Sequence, residues 1–269
     1  NKCHGDTLKG PWVARCSVNP RIGLAAREER MVQPPTKTKT VAVVGGGPAG
    51  MAAAMYLRER GHTVDLYEQS DKLGGQIRTA LYPTFKWPLK RFLNRLEEIT
   101  HSNGANILLN VPANPGLLRQ KKYDAVIVAI GSTPKRPEIE GVLDAKVWLP
   151  IEVYGHEQEL GQKIVCIGGS ETSAETALYL AQSGHQVTLV TRKKRIASDA
   201  NPIHYVDQFR AACRQNPNLT ILEETTTVRV KFNEVVIRRS DAEETLCYDT
   251  VVAAGGMQPN WEQAAAFAD

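Results

Sequence analysis

Gly45, Gly47 and Gly50 stand at G-x-G-x-x-G spacing, directly after the apolar run Thr40-Val41-Ala42-Val43-Val44 and directly before Met51-Ala52-Ala53-Ala54-Met55-Tyr56-Leu57. That order reads as strand, turn, helix, and the chemistry it suits is the binding of phosphate. The first glycine permits a tight turn, the second lets backbone approach a pyrophosphate, and the third lets helix pack on strand. The phosphates would lie at a helix N-terminus, where unbonded N–H groups and the helix dipole favour negative charge. The glycine motif alone is a weak signal. Here, however, the helix ends at Gly61 and a second strand, Thr63 to Tyr67, delivers Glu68, 23 residues after Gly45. An acid about 20 residues on is the expected acceptor for a ribose hydroxyl.

The second half of the chain repeats the first. Adding 123 to Gly45, Gly46, Tyr56, Leu57, Gly61, His62, Val64 and Leu66 gives Gly168, Gly169, Tyr179, Leu180, Gly184, His185, Val187 and Leu189. Adding 125 to Tyr123, Asp124, Val126, Ala129, Gly131 and Pro134 gives Tyr248, Asp249, Val251, Ala254, Gly256 and Pro259. So many identities at a fixed offset indicate an internal duplication. The two halves differ where ligand chemistry is decided: Gly47 becomes Ser170, Gly50 becomes Ser173, and Glu68 becomes Thr191, followed by Arg192-Lys193-Lys194-Arg195. A dinucleotide with a free 2′-hydroxyl wants an acid at that place, whereas a 2′-phosphate wants an arginine. The alternative is a solvated basic loop over a degenerate half that binds nothing.

The elements that must position these residues can be read in order. Residues 1–36 show no clear periodicity and hold Cys3, Cys16 and Val18-Asn19-Pro20-Arg21 ahead of Pro34-Pro35. After the Glu68 strand, Gly74-Gly75-Gln76 lets backbone approach a ligand that side chains would obstruct. Helical spacing follows in Leu89, Phe92, Leu93, Leu96 and Ile99, then a strand is expected over 107–111. Tyr123 to Gly131 reads as a continuous apolar strand, the pattern of a strand buried on both faces. The closing strand of the second half either completes its own fold or returns to the first.

Composition sets the bounds. A chain of 269 residues, 42% apolar and 23% charged, has room for about two ordinary domains. No run approaches the ~20 apolar residues of a membrane helix, and nothing marks a signal peptide. A cytoplasmic location is therefore expected. A net charge of +4, with basic residues spread along the chain, disfavours nucleic acid as a partner. Five cysteines, an odd number, argue against a disulfide framework. A chain that opens on Asn1 reads as processed, or as a fragment.

Taken together, the two dinucleotide folds, the Gly74-Gly75 segment and the two Tyr-Asp-led strands resemble two-dinucleotide flavoproteins, in which a nicotinamide domain is inserted into an FAD domain. The Cys3 to Cys16 interval with Val18-Asn19-Pro20-Arg21 is similar to one branch of that group. This is the iron–sulfur branch related to Old Yellow Enzyme: 2,4-dienoyl-CoA reductase, enoate reductase and trimethylamine dehydrogenase. The resemblance covers essentially the whole chain. It implies an α/β fold class with two Rossmann-like domains behind a short iron–sulfur segment. The implied divisions are 1–36 for a partial cluster segment and linker, 37–138 with 249–269 for a C-terminally truncated FAD domain, and 139–248 for the NAD(P) domain.

By motif, the resemblance places FAD against Gly45, Gly47, Gly50, Glu68, Gly74, Gly75, Gln76 and Gly131. It places NAD(P)H against Gly168, Ser170, Ser173 and Arg192, and makes Cys3 and Cys16 the third and fourth ligands of a 4Fe–4S cluster. The implied function is electron input. NAD(P)H would reduce FAD, and electrons would pass through the cluster to FMN in an N-terminal TIM barrel that reduces activated C=C bonds, as in enoates or 2,4-dienoyl-CoA. The flavin performs the chemistry, so no catalytic acid, base or nucleophile is assigned. The alternatives are a disulfide reductase of similar architecture, a glutamate-synthase-like flavin subunit, and a nucleotide-binding scaffold without activity. The first of these would need a Cys-x-x-Cys, which the chain lacks.

Overall fold

A computed structural model describes residues 32–143, 147–200 and 205–268. The chain divides into two compact units. One comprises the described residues up to Thr133 together with those from Gln258 on, and the other spans Pro134–Met257. The second unit is therefore inserted in the sequence of the first, as a two-dinucleotide architecture requires.

The first unit is built on a parallel sheet of β1 (Thr40–Val44), β2 (Thr63–Tyr67), β3 (Asn106–Leu108) and β4 (Ala125–Val128), in the order β3-β2-β1-β4. Helix α1 (Pro48–Glu59) follows β1, and α2 (Trp87–Ser102), the helix expected from the spacing of Leu89 to Ile99, follows β2. Apolar residues of β1 alternate between faces. Val43 packs with Met51, Ala54, Leu66, Leu93 and Leu96, whereas Ala42 and Val44 pack with Tyr67 and with Leu118 of α3 (Pro115–Lys121). Burial on both faces explains why β1 reads as an unbroken apolar run. The chain leaves this unit through the short strand β5 (Ser132–Pro134).

The second unit repeats the arrangement. Its parallel sheet contains β6 (Val147–Trp148), β7 (Lys163–Ile167), β8 (Gln186–Val190) and β9 (Leu219–Leu222), with α4 (Glu171–Gln182) after β7 and α5 (Tyr205–Gln215) before β9. An antiparallel meander of β10 (Thr225–Lys231), β11 (Glu234–Arg239) and β12 (Ala242–Cys247) follows. The unit closes with β13 (Thr250–Ala253), and the sheet order is β6-β13-β7-β8-β9. Val165 and Ile167 of β7 sit 123 residues after Ala42 and Val44. They pack against Val230, Val235 and Ile237 of the meander, so the meander takes the place that α3 holds in the first unit.

The expected return to the first domain at residue 249 comes later in the structure. Strand β13 pairs in parallel with β7 from Thr250↔Ile164 to Ala253↔Ile167 and with β6 at Val251 and Val252, and all four of its residues are buried. It completes its own sheet as β4 completes the first. The repeated Tyr-Asp pair explains the matched position. Asp124 Oδ2 accepts from Thr40 N at 2.7 Å, and Asp249 Oδ2 accepts from Lys163 N at 2.7 Å and Gln162 N at 2.9 Å. In each half an aspartate before the closing strand ties down the first backbone donor of the leading strand. The chain then passes through β14 (Met257–Pro259) into the short helix α6 (Trp261–Ala265). Among the described residues, no helix is long and apolar enough to cross a membrane.

Candidate functional site

The first glycine turn is held by the strands on either side of it. Gly45 N donates to Tyr67 O at 2.8 Å, and a Cβ on Gly45 would lie 2.4 Å from Ala129 O at the end of β4. The backbone is pinched at this point. A Cβ on Gly50 would lie 1.8 Å from Gly45 O, far inside contact distance, whereas a Cβ on Gly47 would meet nothing within 4 Å. The three positions therefore do different work: Gly45 and Gly50 let the turn close, and Gly47 faces open space through which a ligand can approach. Helix α1 starts at Pro48 after Gly47, with no side-chain cap and no acid in its first turn. Its leading N–H groups remain available to an anion.

Gly50→Ala is expected to lower stability by about 1–3 kcal/mol, since overpacking a closed turn displaces backbone. Urea unfolding would measure the shift, and an unchanged midpoint would contradict the packing just described.

Glu68 stands at the end of β2 as expected and is 7% exposed. Its carboxylate is already engaged. Oε2 accepts from Gly46 N at 2.7 Å, and Oε1 accepts from Ser70 N at 2.8 Å and Ser70 Oγ at 2.7 Å. Each carboxylate oxygen offers about two lone pairs, so Oε2 keeps one beyond the bond from Gly46 N while Glu68 anchors the turn. Gly74 and Gly75 both take positive φ, at 110° and 52°. Gly74 N donates to Gly46 O at 2.8 Å, and a Cβ on Gly75 would fall 3.2 Å from Gly47 Cα. Gln76 Nε2 donates to Ser132 O, next to Gly131. The structure thus gathers Gly45, Gly47, Gly50, Glu68, Gly74 and Gly75 around one turn, with Gln76 tied to Ser132 O beside Gly131.

The second turn is built differently. Ser173 takes the place of Gly50, is 2% exposed, and donates from Oγ to Gly168 O at 2.9 Å. A carbonyl contact that would be a clash in the first half becomes a hydrogen bond in the second. Ser170 caps α4, its Oγ accepting from Ser173 N at 3.3 Å. Glu171 N donates to the Asp199 carboxylate at 3.2 and 3.4 Å. Thr191, at the place of Glu68, is buried, and its Oγ1 accepts from Lys193 N at 3.1 Å.

Around this turn lies a cavity of about 590 Å³, lined by Gly168, Gly169, Ser170, Thr191, Arg192 and Lys193, by Lys135–Ile139, and by Thr225, Thr226 and Thr227. Arg192 is exposed and pairs with no acid among the described residues, whereas Lys135 pairs with Glu138 at 3.3 Å and Lys193 with Asp199 at 3.2 Å. The cavity is cationic and fits an anionic ligand. The threonines of β10 and the Lys135 segment were not singled out in the sequence, since neither carries a motif. The run of three β-branched hydroxyl residues was the available signal.

Cys3 and Cys16, the expected cluster ligands, lie outside the described residues. Cys166 and Cys213 are buried, and burial pushes each thiol up to about 12. The thiolate is the reactive form, and burial disfavours it at both positions. Cys247 is exposed and unpaired among the described residues.

Residues 39–268 match the family model of the pyridine nucleotide-disulphide oxidoreductases. The chain is 38% identical over 203 residues to an NADH oxidase of Thermoanaerobacter brockii, covering 73% of this chain and 31% of that protein. It is 33% identical over 225 residues to a cinnamate reductase of Clostridium sporogenes, covering 84% of this chain and 31% of that one. A solved structure of 2-naphthoyl-CoA reductase with 2-naphthoyl-CoA superposes with a TM-score of 0.88 at 30% identity, covering 94% of this chain and 38% of that chain. The chain thus spans about a third of the length of these relatives.

Proposed function

The chain belongs to the pyridine nucleotide-disulphide oxidoreductase family, and on that premise we propose that it is the electron-input part of a longer NAD(P)H-dependent flavin oxidoreductase. The observation that carries this reading is the contrast at the first turn: open space at Gly47 beside an uncapped helix, closed by Glu68 behind it. The N–H groups at the start of α1 would hold the pyrophosphate of FAD. Glu68 would take a ribose hydroxyl on Oε2. Gly74 and Gly75 keep side chains away from Gly47, and the bond from Gln76 to Ser132 O fixes the segment beside Gly131.

In the second unit, Arg192 would meet the ribose phosphate of NADPH, and the Gly168–Ser170 turn would face its pyrophosphate. When bound, FAD supplies the exchange between hydride transfer from a nicotinamide and the release of single electrons. Among the described residues no cysteine pair replaces it in that role. In the parent protein we place a 4Fe–4S cluster next, with Cys3 and Cys16 as two of its ligands, and then FMN in an N-terminal TIM barrel that reduces an activated C=C bond. The similarity to a cinnamate reductase and a 2-naphthoyl-CoA reductase supports that acceptor class.

The direct test is anaerobic addition of NADPH or NADH to the FAD-reconstituted protein. Flavin absorbance should bleach. A protein that holds stoichiometric FAD yet stays oxidised under excess of both nucleotides would be a binding scaffold, and the reading would fall.

A further inference from the structure

The two halves match beyond their glycine turns, and the match exposes one residue without a counterpart in role. In the first half Gly74 N donates to Gly46 O at 2.8 Å; 123 residues on, Ala197 N donates to Gly169 O at 3.0 Å. The segment after the second strand therefore folds back over the turn in both halves, and Ala197 adopts a left-handed φ of 49° to do so. Two residues later the halves part. Gln76 is neutral and turns its amide to Ser132 O. Its equivalent, Asp199, carries a carboxylate that accepts from Glu171 N, the first N–H of α4, at 3.2 and 3.4 Å, and pairs with Lys193 Nζ at 3.2 Å. The first half has no such contact available, because the residue equivalent to Glu171 is Pro48, which has no N–H.

We propose that Asp199 occupies the anion position of the second turn and sets how strongly that turn takes a dinucleotide pyrophosphate. This rests on the reading that the second unit binds NAD(P)H. Helix N-termini favour phosphate and carboxylate for the same reasons, free N–H donors and a positive dipole end, so the two compete for one place. Glu171 N and Lys193 Nζ, the groups that would meet a phosphate beside the Gly168–Ser170 wall of the cavity, are both held by Asp199. An incoming pyrophosphate has to displace the carboxylate and then tolerate its charge nearby. Once displaced, Asp199 releases Lys193 to the phosphate. Asp199 is thus a specificity-determining residue that weakens nucleotides in proportion to their phosphate contact and leaves the adenosine part untouched.

The test measures affinities of NADPH, ADP-ribose and adenosine for the FAD-reconstituted protein, its Asp199→Asn variant and its Asp199→Ala variant, by calorimetry. Charge-assisted hydrogen bonds are the stronger kind, so Asp199→Ala should tighten NADPH and ADP-ribose by about tenfold, with a smaller gain for Asp199→Asn, which keeps an acceptor but loses the charge. Adenosine affinity should not change. Equal affinities in all three proteins would overturn the proposal, as would weaker NADPH binding in the variants, which would make Asp199 a ligand of the nucleotide. A gain shared by adenosine would also overturn it, since it would report a loosened loop and not an anion removed. If no variant and no wild-type protein bound any of the three, and NADPH failed to bleach the flavin, the underlying reading of the second unit would fall as well.

Discussion

Gly47→Val should fold normally and bind no flavin. A Cβ at this position meets nothing within 4 Å, and Gly47 has a φ of −71° and a ψ of 179°, a conformation that valine adopts without strain. The apolar branches would therefore project into the space by which a pyrophosphate reaches the start of α1. Thermal unfolding of the variant without cofactor should match that of the wild-type chain, and reconstitution with FAD should leave the protein colourless. The comparison with Gly50→Ala separates two reasons for a glycine. The Gly50 substitution presses on Gly45 O and damages the fold, whereas the Gly47 substitution leaves the fold and removes the ligand. Stoichiometric flavin on Gly47→Val would show that the cofactor does not enter over this turn.

Arg192→Ala should abolish a preference for NADPH over NADH. Arg192 lines the cavity, is exposed, and pairs with no acid among the described residues, so nothing needs to be broken before it meets a phosphate. Hydrogen bonds to charged groups contribute on the order of 1.5–3 kcal/mol, or roughly tenfold to more than a hundredfold in affinity. The loss should appear as weaker NADPH binding with NADH unchanged, and raising the salt concentration should narrow the wild-type preference in the same direction. An unchanged ratio, or a wild-type preference for NADH, would move the 2′ position of the nucleotide away from this residue.

Much of the frame was legible because it is local. The run from Thr40 through Leu57 contains its strand, turn and helix in consecutive residues, and the spacing of Leu89 to Ile99 marks α2 within a few residues of its observed ends. The limits of the closing strands were less so. Tyr123 to Gly131 reads as one apolar run, yet only Ala125–Val128 pairs as strand, because Tyr123 turns its hydroxyl to Tyr67 and Asp65 and Asp124 is drawn to Thr40 N. The meander went unread for a physical reason. Glu243, Glu244 and Thr245 of β12 are exposed, so that strand shows no apolar alternation, and its pairing with β11 is fixed by partners and not by its own pattern. At the site, Glu68 was placed correctly as the acid after the second strand. Its bonds to Gly46 and Ser70 were invisible, since no spacing rule says which donors a buried carboxylate will meet. Asp199 was hidden for a similar reason: its role depends on a loop closing over a turn 30 residues earlier.

The paired aspartates let this protein serve as its own reference. Asp124 and Asp249 perform one task at equivalent places in two sheets, while Gly50 and Ser173, or Gln76 and Asp199, hold equivalent places with different tasks. After a duplication both halves must still fold, but only one set of ligand contacts need be kept in each. Agreement between the halves therefore marks what folding demands of both, and disagreement marks where each half closes its turn or covers its sheet in its own way. Grafting has to respect this division: Gly47 carried across to position 170 brings a residue that faces open space in its own half, whereas Gly50 and Glu68 carried to positions 173 and 191 would replace buried side chains that hold the second turn, Ser173 through Gly168 O and Thr191 through Lys193 N.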